Sequence, residues 1–246
     1  DRINRKFGSD IKTLWKRKCE IFRELIMGIV LFVIFGIGVI FNDGSIALGD
    51  KGSHQISPHF SQFFYFTLMT GLFCVPIIYS NKSKLKRNVL IWGSCLYSLM
   101  AGLAIHYGTI IHPYLIADNR HWTNVFWRRF LRVTIFGSSV SGRYLLLPFY
   151  GVSLVFFIAS IERDWIWIIG YFFTCAVVLI PSPLIEPRYY ILPMIIYLLN
   201  CRLKSGKYLF LQIGLFSLIN AFIVGMFLYR PFGWAHVPHE IQRRIW

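Results

Sequence analysis

Three carboxylates stand in polar segments between hydrophobic runs, and each lies close in the chain to basic side chains. They are Asp50, Asp118 and Glu186. A general base must reach the proton that it removes within hydrogen-bond distance, and a loop held at the end of a span can position one. A neighbouring cation can bind an anionic group. These three carboxylates are therefore the candidate catalytic residues.

The first polar segment, residues 42–59, is a glycine-rich loop with many ionisable side chains. Asp50 can act as an acid–base group, and Lys51 and His54 can be its cationic partners in substrate binding. Alternatively, Asp50 and Lys51 form a surface ion pair in a glycine turn, which contributes little to stability. The sequence leaves both interpretations open.

The second segment, residues 112–132, reads HPYLIADNRHWTNVFWRRFLR and is neither lipid-like nor disordered in composition. Helical spacing from about Asn119 predicts a basic side and a roughly opposite aromatic side. The basic side carries Arg120, Asn124, Arg128 and Arg132, and the aromatic side carries Trp122, Phe126 and Phe130. Such a helix lies flat on a membrane, with its rings in the headgroup boundary and its arginines in water.

Several side chains of this interfacial helix are candidate ligands. The candidate substrate contacts are Arg120, His121, Arg128 and Arg129. The adjacent arginines can bind phosphate, or they can extend from the interface as ordinary surface charges. Asp118 is either a base or, like Asn119, a cap for the first helical turn.

The third segment, residues 181–193, reads PSPLIEPRYYILP, and its four prolines exclude a regular helix through Pro187. We expect a rigid bend there. Glu186 and Arg188 flank Pro187 and either form a structural ion pair or contact substrate. Tyr189 can stack on a sugar ring or belong to an aromatic belt at the membrane surface.

The chain is too apolar for a soluble domain, since 56% of its 246 residues are hydrophobic and its mean hydropathy is +0.55. A bilayer core about 30 Å thick requires about 20 apolar residues per helical span. Seven runs are candidates, at residues 25–41, 60–79, 89–111, 144–161, 165–181, 189–200 and 208–229. The predicted fold is all-α, a single multi-pass membrane domain over residues 1–246.

The distribution of lysine and arginine among the loops predicts the orientation of these spans in the membrane. Lysine and arginine number 26 against 11 acidic residues, a formal charge of +15. In a soluble chain this excess would suggest nucleic acid, but here it marks the cytosolic loops, and no nucleic-acid partner is expected. With the first segment cytosolic, nearly all lysines lie on the cytosolic side, whereas many arginines lie opposite and suggest phosphate recognition there. Those arginines are Arg120, Arg128, Arg129, Arg132, Arg143, Arg188, Arg230, Arg243 and Arg244.

This orientation gathers the polar segments on one side of the membrane: residues 42–59, 112–143, 182–188 and the tail, 230–246. The sequon at Asn81 falls on the cytosolic side and is predicted to stay unmodified. The central parts of the spans carry no charges, which argues against pumps and coupled transporters. A channel or channel-modulating subunit remains the non-catalytic alternative.

The sequence contains no pattern that predicts a bound cofactor. Five cysteines have neither a disulfide framework nor a zinc-site spacing, so no metal site is predicted, and dependence on a divalent metal is left open. The chain opens at Asp1, and we expect it to begin within a longer protein.

Five motifs give the chain a resemblance to a known family. They are GDKGSH (49–54), FSQFFYF (60–66), LIADNRHWTNVFWRR (115–129), PRYYILP (187–193) and IQRRIW (241–246). Together they resemble the C-terminal half of the dolichyl-phosphate-glucose-dependent alpha-1,2-glucosyltransferases of the endoplasmic reticulum. The resemblance implies a GT-C-like membrane glycosyltransferase with its active side in the lumen and with membrane lipid around it.

The resemblance also implies a reaction. Glucose would move with inversion from dolichyl phosphate glucose to the terminal glucose of a diglucosylated dolichyl-pyrophosphate oligosaccharide, for protein N-glycosylation. A carboxylate would deprotonate the acceptor hydroxyl while cations stabilise the departing phosphate. The class generally carries an acidic residue in an earlier lumenal loop, so the base is also sought upstream, and this half alone is expected to be inactive. A transferase for another lipid-linked sugar is a further alternative.

Overall fold

A computed structural model describes residues 17–45, 57–81, 87–113, 120–132, 142–234 and 237–244, and most of them are helical. The helices are α1 (Lys18–Phe41), α2 (Ser61–Phe73), α3 (Val75–Ser80), α4 (Arg87–Gly108), α5 (Trp122–Phe126), α6 (Leu147–Ser160), α7 (Trp165–Leu179), α8 (Ile191–Leu199) and α9 (Gly206–Tyr229). A π-helical turn, Trp127–Leu131, extends α5, and 3-10 turns at Gly142–Leu146 and Pro187–Tyr190 precede α6 and α8. The all-α prediction is confirmed.

The only described strands form a short antiparallel hairpin after α9. β1 (Phe232–Trp234) pairs with β2 (Val237–Gln242), with Phe232 opposite Gln242 and Gly233 opposite Ile241. The sequence analysis did not predict this hairpin. It folds the tail back toward the end of α9.

The structure divides into two compact units. The smaller comprises Asp1–Ile56 and Asp164–Tyr171, and the larger comprises Ser57–Arg163 and Phe172–Trp246. In the smaller unit, α1 is 24 residues long and leaves most of its described apolar side chains exposed. It ends at Asn42, whose N–H bonds to the carbonyl oxygens of Gly38 and Val39 at 3.0 and 3.1 Å.

Three described helical segments are long and apolar enough to cross a bilayer. They are Leu90–Gly108, Gly142–Ser160 and Gly206–Tyr229. At 1.5 Å per residue, the longest spans about 36 Å, more than the hydrocarbon core. Gly28–Phe41 and Trp165–Leu179 are shorter apolar helices. Each of the seven predicted runs is helical, and α2 and α3 together form the second run, interrupted at Cys74 because Pro76 cannot continue the backbone hydrogen bonding.

Small residues let the helices of the larger unit approach closely. A Cβ at Gly151 of α6 would collide with the backbone carbonyl oxygen of Ser94 in α4. The Ser98 hydroxyl donates to the Leu147 carbonyl oxygen at 2.7 Å across the same contact. Close backbone approach through small residues is the usual way membrane helices associate.

The loops predicted to be cytosolic meet at one end of the larger unit. The Asn81 side-chain amide donates to the carbonyl oxygen of Arg202 at 3.0 Å. The backbone N–H of Glu162 bonds to the carbonyl oxygen of Asn200 at 2.9 Å, and the N–H of Arg202 bonds to that of Ser160 at 2.9 Å. These contacts join three loops that the predicted topology placed on one side.

Candidate functional site

The larger unit contains a cavity of about 370 Å³, called here the first cavity. Its wall is almost entirely apolar and aromatic. The lining residues are Tyr65, Leu68, Met69, Leu72, Phe73, Trp122, Thr123, Phe126, Trp127, Leu131, Leu146, Tyr150, Ile185, Pro187, Tyr190 and Phe222. Three of the five resembling motifs therefore contribute to one wall.

Helical spacing explains how α2 and α5 build this wall. Tyr65, Leu68 and Leu72 recur every three or four residues and so lie on one face of α2. Trp122 and Phe126 of α5 are also four residues apart and share a side, as predicted. That side borders the cavity.

The interfacial helix begins later than predicted. α5 starts at Trp122, and the carbonyl oxygen of His121 accepts hydrogen bonds from the N–H groups of Asn124 and Val125 at 3.1 and 3.3 Å. His121, with extended backbone, occupies the cap position and makes no capping bond through its side chain. Asp118 and Asn119, the expected caps, lie outside the described residues, and their role stays a prediction.

The predicted basic side of this helix is also wrong in register. Asn124, expected to face water with the arginines, is only 2% exposed, and Trp127 is 4% exposed. A π-helical turn takes an extra residue per turn, so it rotates the residues after Trp127 relative to those before it. Arg128, Arg129 and Arg132 are exposed.

The other predicted site residues are divided between described and undescribed parts of the chain. Arg120 and His121 are partly buried at the start of α5. Asp50, Lys51, His54 and Asp118 lie outside the described residues. Their proposed roles stay predictions.

Glu186 and Arg188 form the ion pair that the sequence analysis gave as one alternative. Arg188 Nε lies 2.8 Å from Glu186 Oε2, and the Glu186 side chain is 6% exposed while that of Arg188 is 55% exposed. Burial makes an unpaired carboxylate costly, so Arg188 compensates for Glu186. Glu186 in turn fixes the direction of a guanidinium that still faces outward. The neighbouring Tyr189 is 40% exposed.

A second cavity of about 430 Å³ lies beside this ion pair. It is lined by Met69, Phe73, Pro187, Arg188, Ile191, Met194, Ile195, Leu198, Phe216, Ile219, Asn220 and Ile223. Met69, Phe73 and Pro187 also line the first cavity. These three residues are called here the shared wall, because they line both apolar spaces.

A buried clamp that the sequence analysis did not predict holds the proline-rich segment on α2. The Gln62 amide nitrogen donates to the carbonyl oxygens of Leu184 and, at 3.4 Å, Ser182. The Gln62 amide oxygen accepts a hydrogen bond from the Tyr190 hydroxyl. The available signal was a glutamine inside an apolar run, since such a side chain must find partners in a membrane.

His59 completes this clamp. Its backbone N–H bonds to the Ile180 carbonyl oxygen at 2.9 Å, and its Nδ1 lies 3.2 Å from the Pro183 carbonyl oxygen. An imidazole must donate to a carbonyl, so this contact assigns the proton to Nδ1. Burial lowers the pKa of His59, and hydrogen bonds to Pro183 and Ser182 partly oppose that effect. The clamp is therefore built around a neutral histidine.

Two arginines follow the C-terminal hairpin, and one of them, Arg244, contacts the first cavity wall at Trp122. Arg243 Nη1 donates to the carbonyl oxygens of Phe227 and Leu228 at 2.6 and 2.9 Å. The guanidinium carbon of Arg244 lies 5.5 Å from the Trp122 ring centroid and 5.6 Å from that of Phe232. Trp122 also contacts the ring of Phe222 at 5.9 Å.

Within the described ranges, no three His, Cys, Asp or Glu side chains lie close enough to hold a metal ion. All five cysteines are free thiols. The described site thus consists of apolar cavities, outward arginines and one buried carboxylate.

Comparison with known proteins adds a family to this geometry. The profile of the DIE2/ALG10 family matches residues 2–199. The chain is 36% identical over 252 residues to a protein of Arabidopsis thaliana named Dol-P-Glc:Glc(2)Man(9)GlcNAc(2)-PP-Dol alpha-1,2-glucosyltransferase, covering 96% of this chain and 47% of that protein. Proteins with the same name match at 34% identity in Rattus norvegicus (88% of this chain, 45% of the relative) and Homo sapiens (89% and 46%). The chain spans about half the length of these curated relatives. No solved structure gives a significant match.

Proposed function

Because this chain belongs to the DIE2/ALG10 family, we propose that it forms the C-terminal portion of a membrane glucosyltransferase. Its donor is dolichyl phosphate glucose, and its acceptor is a dolichyl-pyrophosphate oligosaccharide. Glucose is added in an alpha-1,2 linkage to the terminal glucose of the acceptor. These substrates follow the names of the relatives.

One structural observation supports this proposal most directly: the two apolar cavities that meet at the shared wall. Transfer between two lipid-linked sugars requires two long apolar chains to bind at once. Each chain needs a surface that excludes water, and their head groups must come close together. Adjacent cavities on either side of Met69, Phe73 and Pro187 fit that requirement.

The charged groups fit the chemistry of a phosphate leaving group. Arg188, which lines the second cavity, is directed by Glu186 and remains outward-facing. A guanidinium in this position can neutralise charge on a departing phosphate, and a carboxylate must remove the proton of the acceptor hydroxyl. Asp50, Asp118 and Glu186 stay the candidates in this chain for that base.

The site belongs on the lumenal face of the endoplasmic reticulum membrane in this proposal. The described parts of the predicted far-side segments are brought together: the N-terminal end of α2, the 3-10 turn at Pro187–Tyr190, α5 and the tail. The loops that carry Asn81 and Arg202 meet at the other end.

The test is glucose transfer in proteoliposomes by the whole enzyme to which this chain belongs. The labelled donor is dolichyl phosphate glucose, and the acceptor is the diglucosylated dolichyl-pyrophosphate oligosaccharide. We expect one alpha-1,2-linked glucose per acceptor, and no transfer from residues 1–246 expressed alone. A folded whole enzyme that transfers no glucose would contradict the proposal, and ion conductance by the same proteoliposomes would favour the channel alternative.

A further inference from the structure

The tail hairpin is anchored at the end of α9 by Arg243. The carbonyl oxygens of Phe227 and Leu228 lie in the last turn of the helix, where intrahelical donors run out. Arg243 donates to both, and its guanidinium carbon lies 5.4 Å from the Phe227 ring centroid. A cation at a helix C-terminus is also favoured by the helix dipole. The hairpin is thereby fixed to the end of α9.

This anchor determines where Arg244 lies. Its guanidinium contacts the rings of Trp122 and Phe232, and Trp122 is part of the first cavity wall. Phe222, which lines the same cavity, precedes Phe227 by five residues, or about 8 Å along α9. The first cavity therefore borders α9 near the end at which Arg244 is held.

Arg244 makes ring contacts but no hydrogen bond with the described residues. Its Nε is enclosed and donates to no acceptor there, although the residue as a whole is partly exposed. None of the ion pairs between described residues includes it. An enclosed donor without an acceptor is costly, and an anion at the exposed edge of the guanidinium would add charge-assisted hydrogen bonds that stabilise this placement of Arg244.

We infer that Arg244 binds a phosphate oxygen of the lipid-linked substrate whose polyprenyl chain occupies the first cavity. The inference rests on the proposed function for the identity of that lipid. A planar, weakly hydrated guanidinium stacked on aromatic rings suits this role at a membrane surface better than an ammonium group would. The C-terminal tail is thus part of the substrate site. The sequence analysis included Arg244 in the group of far-side arginines but did not select it as a candidate substrate contact.

The ligand chemistry has two sources, the monophosphate of the donor and the pyrophosphate of the acceptor, and steady-state kinetics distinguishes them. In the whole enzyme we expect Arg244→Gln to raise the KM of one of the two lipids about tenfold and to leave the KM of the other unchanged. Arg244→Lys should fall between, because it keeps the charge and loses the planar stack. The matched control is Arg202→Gln, which removes an exposed arginine paired loosely with Glu162 at 3.7 Å.

A chemical measurement on the unmutated enzyme tests the same inference without relying on a variant that could misfold. Phenylglyoxal modifies accessible arginines, and dolichyl phosphate or dolichyl pyrophosphate should slow its reaction at Arg244 but not at Arg202, as read by peptide mass spectrometry. Unchanged KM values for both lipids, an equal loss for both, or the absence of protection would overturn the inference. If the unmutated enzyme transfers no glucose, the proposed function fails, whereas protection of Arg244 is still measurable.

Discussion

At the scale of single residues, Gln62 joins parts of the chain that are far apart in sequence. Its amide joins α2 to Ser182, Leu184 and Tyr190 through both its nitrogen and its oxygen. The side chain is fully buried, so its removal would take the acceptor from the Tyr190 hydroxyl and a donor from the carbonyl oxygens of Ser182 and Leu184. Together with His59, this side chain holds the proline-rich segment on α2.

Replacing Gln62 with leucine should therefore destabilise the protein by about 1–3 kcal/mol, since buried carbonyl and hydroxyl groups lose their partners. The control is Gln242→Leu, in which the amide bonds to Glu240 at the protein surface at 3.2 Å. Thermal unfolding in detergent measures both variants. Equal melting temperatures for the two would show that the buried amide contributes no more than the surface one.

The clamp should also respond to pH through His59. Burial lowers the pKa of His59 in the folded state below its ordinary 6.5. Below about pH 6.5 the unfolded chain binds a proton that the folded chain excludes, so stability should fall as the pH falls, by at most about 1.4 kcal/mol per pH unit. Above that pH the effect disappears.

His59→Asn should flatten this dependence in melting temperatures recorded between pH 5 and pH 8. An identical slope in the variant and the unmutated protein would assign the pH dependence to other groups.

Residue contacts could be predicted from the sequence only where they were local. The pairing of Glu186 with Arg188 was foreseeable because only Pro187 separates them. Gln62 and Tyr190 are 128 positions apart, and only the folded chain shows that they bond. The contact of Arg244 with Trp122 also joins residues that are far apart in sequence. The sequence analysis could therefore name the far-side arginines only as a group and could not say which of them contacts the cavity wall.

At the scale of helices, hydropathy and length predicted all seven helical runs, because a bilayer fixes how many apolar residues a span needs. The interfacial helix was predicted with the wrong start and register. No spacing rule in the sequence signals its π-helical turn or the extended backbone of His121.

The close contact of α4 and α6 leads to a prediction about glycine. Gly151→Ala should destabilise the protein by about 1–3 kcal/mol, because the new methyl group meets the Ser94 carbonyl oxygen, which cannot move without moving the helix. Gly214→Ala in α9 is the control, since a Cβ there has nothing within 4 Å. Alanine favours helix, so the control should be neutral or slightly more stable. Similar melting temperatures in detergent for both variants would mean that α4 and α6 can separate at little cost.

At the scale of the whole molecule, the lumenal placement of the site depends on the membrane topology, that is, on which side of the membrane each loop lies. Cys19 is exposed at the start of α1, on the predicted cytosolic side, and Glu240 is exposed in the tail, on the opposite side. The sequence predicted this sidedness from lysine alone, before any contact was known. Within the larger unit, the described contacts join the loops of Asn81 and Arg202 at one end and bring α5 and the tail together at the other.

A membrane-impermeant maleimide added to sealed microsomes should label Cys19 at once. A cysteine introduced as Glu240→Cys, in a Cys19→Ser background, should react only after detergent opens the vesicles. Labelling of the tail cysteine in sealed vesicles would reverse the topology and with it the lumenal assignment of the site.

Because Met69, Phe73 and Pro187 line both cavities, a change in the position of any of these side chains alters both spaces. The Met69 side chain is flexible, so a lipid bound in one cavity should select the Met69 rotamer that a lipid in the other cavity contacts. The two lipids would then influence each other's affinity reciprocally, without touching. A preferred order of binding, and the exclusion of a second lipid that is too wide, would both originate in the shared wall.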